Sequence, residues 1–492
     1  MQVAINRKKI KFLPDSSRVI ARFFYADDER AINTIKSVLQ MSENDSQRAL
    51  NQVLRDFSLR HRNITKIFQR HFDTIAYLFI QLNMEVSQLS FTQKILIGSY
   101  FTNEYSIDSA AIFNPSMIEH PDQTETGDGE KRVIISFRAT GEGHISSIVF
   151  RTGILDINSD LTVEPVGKML DEAEQIHRHI YDKISFREKL ELMKVKHPEL
   201  DPELILKSLN DEFTYEELRT AIDEVRKENE LSYDNGDLLN QITWIASSHY
   251  QLDFSMDTNL SERVIFPVSA NEKNGIEDAR FVRYSNEKGQ IMYYATYTAY
   301  DGTTITPKMI ETRDFYHFNI MPINGEIAHN KGMALFPRKI NGKYAMLCRM
   351  DGFNNYIAYS NELSIWRKAK LLQKPKFPWE FIQIGNCGSP IETEEGWLVI
   401  THGVGPMREY AIGVSLFDLK NPELEIGRLE NPLLVPNPEE REGYVPNVVY
   451  SCGSMIHNND LILPYAMSDY ASTYCTINLK ELLIELKKSK QV

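Results

Sequence analysis

The chain has 492 residues, of which 42% are apolar and 25% are charged, values that are ordinary for a globular protein with a sizeable core. Its formal net charge of −13 argues against a nucleic-acid partner, because proteins that bind the phosphate backbone usually present a basic face. The N-terminal segment has no apolar signal-peptide core, and no run approaches the roughly 18 apolar residues of a membrane span. We therefore expect a cytoplasmic protein without a membrane partner.

The first predicted elements are helices, between about residues 27 and 102. Ile32, Ile35 and Leu39 recur at helical spacing, and the same period is repeated further along by Ile64 and Phe68. We predict an N-terminal helical region, residues 1–105, that packs outside the rest of the protein.

From about residue 106 the pattern changes to the alternation of strands, with turn residues such as Asn341 and Gly342 between them. Five short apolar hairpins recur, at 112–140, 279–300, 333–350, 389–404 and 454–467. Self-similarity at roughly 50 to 60 residues is typical of a β-propeller, in which each blade buries its faces against its neighbours. The prediction is a mainly β fold, a five-bladed β-propeller, with a first blade region at 106–164 and the remainder at 246–492.

A second helical block interrupts the strands at about residues 165–245. Thr214 and Glu217 have the spacing of a capping box, and Leu218, Ala221 and Ile222 follow on one helical face. Since the first hairpin lies more than 130 residues before the second, we interpret 165–245 as a helical insertion in the propeller.

Common cofactor and nucleophile motifs are absent from the sequence. It contains no glycine-rich dinucleotide or phosphate loop, no H-E-x-x-H pair and no G-x-S-x-G turn. Four cysteines are far apart and form no C-x-x-C pair, which favours packed, reduced thiols: Cys348, Cys387, Cys452 and Cys475. We expect neither a metal nor an organic cofactor.

The run from Gly275 to Arg280 contains a carboxylate that is a candidate proton donor. Asp278 lies in a glycine-led turn between Glu277 and Arg280, at the entrance of an apolar strand. Such a carboxyl suits proton donation to a leaving oxygen, with Glu277 orienting a neighbour or a sugar hydroxyl. The alternative is a surface turn with a local ion pair.

Aromatic side chains are dense near the predicted strand ends, and aromatic faces beside polar groups are what a sugar ring needs. The candidates are Trp366, Trp379, Trp397, Tyr293, Tyr294, Tyr297 and Tyr300. The alternative is that these rings form the blade core.

Several runs together resemble glycoside hydrolase family 130. They are FNPS (113–116), GIEDAR (275–280), YYATYT (293–298), HNKGMALFPRKINGKYAMLCR (329–349), GWLVITHGV (396–404), YAIGVSLFDL (410–419) and the NVVYSCG…PYAMSD stretch (447–469). The order and spacing agree over roughly 106–164 and 246–480. The resemblance implies a five-bladed propeller that acts on β-mannosides, as an inverting phosphorylase or an inverting hydrolase.

The resemblance also assigns roles to individual residues. It implies that Asp278 is the proton donor and that Lys331 and Arg349 are the basic pair that grips inorganic phosphate in phosphorylases. The remaining candidates for substrate binding are Asn114, Ser116, Arg138, His144, Glu277, Arg280, His402, Tyr410 and Asp469.

Two departures from the family pattern favour water as the nucleophile. His144 stands where phosphorylases often carry a second arginine, and Gln383 stands where a lysine is common. Losing two cations weakens the binding of a dianion. A hydrolase needs a second carboxylate as base, for which Asp351, Glu380 and Glu392 are the candidates.

We therefore expect inverting hydrolysis of β-1,2- or β-1,4-linked mannooligosaccharides, with a small carbohydrate as the partner. The first alternative is a β-mannoside phosphorylase that uses inorganic phosphate as co-substrate and releases mannose 1-phosphate. The second is a non-catalytic propeller that binds carbohydrate or protein. The sequence leaves the oligomeric state open, including a homo-oligomer.

Overall fold

The structure is a computed structural model of a mainly β protein with additional helices, as the sequence predicts. It describes residues 3–167, 169–176, 180–194, 201, 203–228, 242 and 248–488. Within those ranges no helix has both the length and the apolar surface needed to cross a bilayer.

The N-terminal part is a helical unit that begins and ends with short strands. Its elements are β1 (Ile5–Arg7), β2 (Val19–Phe23), α1 (Asp28–Leu39), α2 (Glu43–Phe57), α3 (Ile64–Ile75), α4 (Leu78–Gln81), α5 (Phe91–Tyr100) and β3 (Thr102–Ser106). β2 pairs with β3, and the predicted apolar faces are confirmed, since Ile35, Phe68 and Phe72 lie in one helical core. A buried ion cluster joins this unit to the sheets, because Arg18 and Arg151 both donate to Asp108.

The next elements are β4 (Ala111–Glu119), β5 (Lys131–Thr140), β6 (Ser146–Leu155), β7 (Leu161–Val163), β8 (Asp171–Glu172), β9 (Glu174–Ile176), β10 (Ile180–Asp182), α6 (Lys183–Lys194), α7 (Glu203–Leu206), β11 (Glu212–Thr214) and α8 (Tyr215–Glu228). The predicted capping box is confirmed, since Thr214 and Glu217 exchange backbone and side-chain hydrogen bonds. Within the predicted insertion, 168, 177–179, 195–200, 202, 229–241 and 243–245 lie outside the described residues. The described part contributes strands as well as helices, and the domain boundaries stay a prediction.

Strands dominate the remainder of the chain. They are β12 (Tyr250–Asp253), β13 (Arg263–Ile265), β14 (Ile276–Ser285), β15 (Ile291–Tyr300), β16 (Ile305–Thr312), β17 (His317–Pro322), β18 (Ala334–Leu335), β19 (Tyr344–Cys348), β20 (Asn355–Ser360), β21 (Ala369–Gln373), β22 (Gln383–Asn386), β23 (Ile391–Thr393), β24 (Gly396–Val404), β25 (Tyr410–Phe417), β26 (Glu425–Arg428), β27 (Val449–Tyr450), β28 (Met455–His457), β29 (Asp460–Met467) and β30 (Ala471–Asn478), followed by the helix α9 (Leu479–Lys488).

These strands form sheets of four to six strands, which we number in chain order. The first sheet contains β4–β8 and β13, the second β9, β12 and β14–β17, the third β18–β21, the fourth β22–β26, and the fifth β27–β30 with β1. All five predicted hairpins are confirmed as antiparallel pairs: β4 with β5, β14 with β15, β18 with β19, β23 with β24, and β28 with β29. Because β1 pairs with β30, the fifth sheet combines the first and the last of the described strands.

Each sheet buries its faces against its neighbours. One apolar cluster lies between each pair of consecutive sheets, and a further cluster joins the fifth sheet to the first. Each sheet is itself open. β24 is buried along its whole length, because both of its faces are covered. The strict alternation expected from the sequence is therefore replaced here by a nearly continuous apolar run.

The aromatic residues proposed as a sugar platform belong mostly to these cores. The buried rings in the clusters between sheets, which form part of the core as in the alternative interpretation, are Trp366, Trp397, Tyr293, Tyr294 and Tyr297. The sequence could not separate the two alternatives because exposure is set by the packing of distant strands. All four cysteines are likewise buried, free thiols.

Candidate active site

Two strand bulges bring a pair of polar side chains together. Asn114 in β4 and Asp278 in β14 each lie at a bulge and have left-handed backbone conformations, with φ of +50° and +56°. Asn and Asp tolerate this region better than most residues, and a bulge re-aims the side chain it carries. Here Asn114 Nδ2 donates a hydrogen bond of 2.7 Å to Asp278 Oδ1.

Glu277 forms a second set of contacts beside this pair. Arg138 donates to Glu277 Oε1 at 2.8 Å, and Lys331 donates to Glu277 Oε2. Arg138 also lies 3.7 Å from Asp278 Oδ1. The two adjacent carboxylates are therefore held by one cation from the first sheet and one from the segment between β17 and β18, which keeps both carboxylates oriented.

Arg280 is buried two residues after Asp278. Its Nη1 donates to Asn386 Oδ1 at 2.8 Å and its Nη2 to the Tyr450 hydroxyl at 2.7 Å. Asn386 in turn donates to the carbonyl of Gly332. Arg280 thus links the second sheet to the fourth and the fifth.

His402 is a neutral acceptor for Arg349. Burial, with Arg349 and Arg280 nearby, lowers the pKa of His402 well below its usual value. Its Nδ1 lies 3.2 Å from the carbonyl of Asn386, so Nδ1 carries the proton, and Arg349 Nη1 donates to Nε2 at 3.2 Å. The arrangement orients the Arg349 guanidinium.

The surroundings of the site shift the pKa values of two carboxyl groups in opposite directions. Burial alone would raise the pKa of Asp278, but the cations of Arg138, Lys331 and Arg280 and the bond from Asn114 lower it below its usual value. Asp469, which follows β29, behaves differently. Burial and the nearby carboxylates of Asp278 and Glu277 outweigh Arg138 and raise the pKa of Asp469 to about 6.

All five sheets therefore contribute to one polar site. Arg138 comes from the first sheet, Asp278 from the second, Arg349 from the end of β19 in the third, His402 from the fourth and Asp469 from the fifth. Three acidic groups meet several cations, a composition suited to holding a polar, partly anionic substrate next to a proton-carrying carboxyl group.

Three other residues that were predicted to bind substrate make different contacts from one another. Ser116 is fully buried, and its Oγ accepts a bond from the Phe281 amide between strands. Tyr410 stacks on His402 with ring centroids 6.1 Å apart. His144 is exposed in the turn after β5, where its ring stacks on Tyr444.

The three candidate bases form hydrogen bonds or ion pairs with residues other than those of the site. Asp351 accepts bonds within its own turn and from Tyr356, which outweigh its partial burial and lower its pKa to about 2. Glu380 is buried against Arg428, and Glu392 forms an exposed pair with Arg338. Each therefore has a local structural role, which leaves the expected hydrolytic base unassigned.

Sequence reasoning missed two members of the site, Asn386 and Tyr450. Both are polar groups within apolar strands, and only the fold shows that they meet Arg280. A signal existed for Asn386, since it precedes Gly388, whose φ of +115° breaks the strand. No group of three or more metal-ligating side chains occurs in the part of the chain that the structure describes.

Comparisons with known proteins show the family of the chain. Residues 251–488 match the sequence model of glycoside hydrolase family 130, described as beta-1,4-mannooligosaccharide phosphorylase. A 1,2-beta-oligomannan phosphorylase from Thermoanaerobacter sp. (strain X514) is 33% identical over 224 residues, 44% of this chain and 74% of that relative. A beta-1,2-mannobiose phosphorylase from Listeria innocua serovar 6a is 29% identical over 254 residues, 49% of this chain and 68% of that relative.

Among solved structures, a beta-1,2-mannobiose phosphorylase from Listeria innocua in complex with beta-1,2-mannobiose matches at 21% identity with a TM-score of 0.46, covering 78% of this chain and 93% of that one. The extent and identity of the match to the Thermoanaerobacter relative carry the assignment. The chain belongs to glycoside hydrolase family 130.

Proposed function

We propose that this protein is an inverting β-mannoside phosphorylase that acts on short β-1,2-linked mannooligosaccharides. The expected hydrolysis gives way to the phosphorylase alternative, because the curated relatives are named phosphorylases and the three candidate bases are bound elsewhere. The β-1,2 linkage is preferred over β-1,4 because the two relatives named above act on β-1,2 mannosides.

The observation that carries the proposal is a set of buried polar atoms without hydrogen-bond partners. Arg349 Nε, Arg138 Nε and Asn114 Oδ1 are all buried and unpaired, and all three side chains belong to the site. Unpaired buried groups are costly in a folded protein, and a bound sugar and anion would satisfy them. Arg349 and Lys331 are the cations in place to hold phosphate.

In the proposed reaction a phosphate oxygen attacks the anomeric carbon of the terminal mannosyl residue. The bond between that carbon and the glycosidic oxygen breaks, and the Asp278 carboxyl group gives its proton to the departing oxygen. The products are α-mannose 1-phosphate and a sugar that is one residue shorter. Glu277, held by Arg138 and Lys331, orients a mannosyl hydroxyl group.

Phosphate has a second role in this scheme. Lys331 is one of the cations that lower the pKa of Asp278, and a carboxyl group with a low pKa seldom carries the proton that an acid needs. A phosphate dianion beside Lys331 offsets that positive charge and raises the pKa of Asp278. Binding of the co-substrate therefore prepares the acid, which links proton donation to the presence of phosphate.

We also propose that the five sheets are the blades of a five-bladed β-propeller around this site. The support is the cyclic order of the apolar clusters between sheets and the contribution of every sheet to the site. Pairing of β1 with β30 would then close the ring in the last blade.

The test replaces Arg349, one of the two cations proposed to bind phosphate, and in a separate variant the control residue Arg338. Arg349→Ala should raise the KM for phosphate at least about tenfold, because charge-assisted hydrogen bonds to an anion are lost, with a smaller effect on the KM for mannobiose. Arg338→Ala is the control, since Arg338 is paired with Glu392 outside the site. Cleavage by Arg349→Ala that is as sensitive to phosphate as that of the wild type would contradict the proposal.

A further inference from the structure

An exposed pair of stacked rings stands beside the site. The rings of His144 and Tyr444 have centroids 5.2 Å apart and an interplanar angle of 29°. His144 lies in the turn between β5 and β6, and Tyr444 lies in the segment before β27. Tyr444 is 69% exposed, so much of its ring surface remains accessible.

Both ends of the pair are tied to residues next to the candidate acids. The amide of Val445 donates to the carbonyl of Ser468 at 3.0 Å, and Ser468 immediately precedes Asp469. On the other side, Ser146 follows the His144 turn and packs on Gly275, where an added Cβ would lie 2.4 Å from Ser146 Oγ. The stack therefore spans the space between the Asp469 loop and the turn that carries Asp278.

The loops at this end of the sheets share an apolar surface. Exposed large apolar side chains occur in the corresponding turns of three other sheets, at Phe353, Met407 and Tyr470. At the opposite end of the sheets the exposed large apolar side chains are Ile157, in the turn after β6, and Leu424, in the turn after β25. Exposed apolar side chains beside a polar site offer a surface that a sugar ligand can contact.

We propose that the His144–Tyr444 stack is a platform for a sugar ring beyond the scissile bond, and that it makes the enzyme select mannooligosaccharides longer than the disaccharide. The inference rests on the proposed function. Sugars present apolar C–H faces to aromatic rings, and the part of the chain that leaves with the glycosidic oxygen must extend from the buried site toward this surface. The exposure of Tyr444 follows from that role.

Binding measurements test the platform separately from the chemistry. β-1,2-Mannobiose and β-1,2-mannotetraose are titrated calorimetrically into the Asp278→Asn protein, which keeps both sugars intact, and into the same protein carrying Tyr444→Ala. We expect Tyr444→Ala to weaken tetraose binding about five- to tenfold and mannobiose binding less than about twofold. Tyr444→Trp, which keeps an aromatic face, should restore tetraose binding.

The control is Phe91→Ala, which removes a similarly exposed ring from α5 in the N-terminal helical unit and should change neither affinity. Equal effects of Tyr444→Ala on both sugars, or no effect on either, would overturn the platform while leaving the proposed function intact. If Asp278→Asn alone binds neither sugar, both the proposed function and the platform are overturned.

Discussion

At the scale of single residues, the account depends most on Asp278. Its left-handed backbone conformation at a bulge is a strained arrangement that the surrounding hydrogen bonds maintain, and such strain concentrates at functional sites. Asp278→Asn keeps the shape of the side chain and removes its proton, so turnover should fall about 10² to 10⁴-fold with no loss of folded structure. Initial rates on an unactivated β-mannoside and a thermal unfolding curve measure the two effects.

The matched control for that substitution is Asp351→Asn. Asp351 is also a carboxylate in a turn, but it bonds to its own loop and to Tyr356. Its replacement should change turnover by no more than a few-fold. A near-normal rate for Asp278→Asn, or an equal loss in both variants, would remove Asp278 from the role of acid.

The raised pKa of Asp469 makes the free energy of unfolding depend on pH. Burial and the neighbouring Asp278 carboxylate raise the pKa of the Asp469 carboxyl group in the folded protein from its usual value of 3.8 to about 6. The folded protein thus holds this proton more tightly, and a stability penalty develops from pH 4 to pH 6 and persists above it. Asp469→Asn should therefore raise the free energy of unfolding by about 1 to 3 kcal/mol at pH 7.5, with little gain at pH 4.

Urea unfolding at both pH values measures this difference. Asp351→Asn should behave in the opposite sense, since the pKa of Asp351 is lowered to about 2 and its interactions stabilise the protein at pH 7.5. An equal change in stability at the two pH values for Asp469→Asn would show that its carboxyl group is not perturbed in the folded state.

At the scale of elements, the turn before β14 positions Asp278, the proposed acid. Gly275 has a φ of +128°, and a Cβ there would lie 2.4 Å from Ser146 Oγ in the first sheet. Gly275→Ala should displace this turn and lower kcat at least about tenfold, because small displacements of a catalytic group are costly. Gly289→Ala is the control: its φ is +73° but no atom lies within 4 Å of the added Cβ.

The two glycine variants should therefore differ in activity more than they differ in thermal stability. Both lose some stability from a positive φ, but only Gly275→Ala loses activity beyond what its stability loss explains. Equal activity in the two variants would mean that the close contact between Gly275 and Ser146 does not position Asp278.

The elements also show what local sequence can predict. The five hairpins were recoverable because their signals are local: apolar runs around turns such as Asn341–Gly342, both of which have positive φ. The capping box at Thr214 was recoverable for the same reason. The platform proposed for Trp366 and Tyr297 was wrong, because whether a strand residue faces a neighbouring sheet or solvent depends on distant packing.

At the scale of the whole molecule, the site is formed by side chains that are far apart in the sequence and meet only in the folded protein. Asn114 and Asp278 are 164 residues apart, and Arg280 and Asn386 are 106 residues apart. The resemblance to a family pointed to most of these residues, whereas Asn386 and Tyr450 became visible only in the fold. The balance between water and phosphate as nucleophile likewise depended on where the candidate bases lie.

The most direct test of the central claim is the product ratio from β-1,2-mannobiose with and without inorganic phosphate, followed by NMR. The account predicts no cleavage in phosphate-free buffer and, with phosphate, one mannose 1-phosphate formed for each free mannose. Two molecules of mannose from each mannobiose, released at the same rate without phosphate, would contradict it and make the protein a hydrolase.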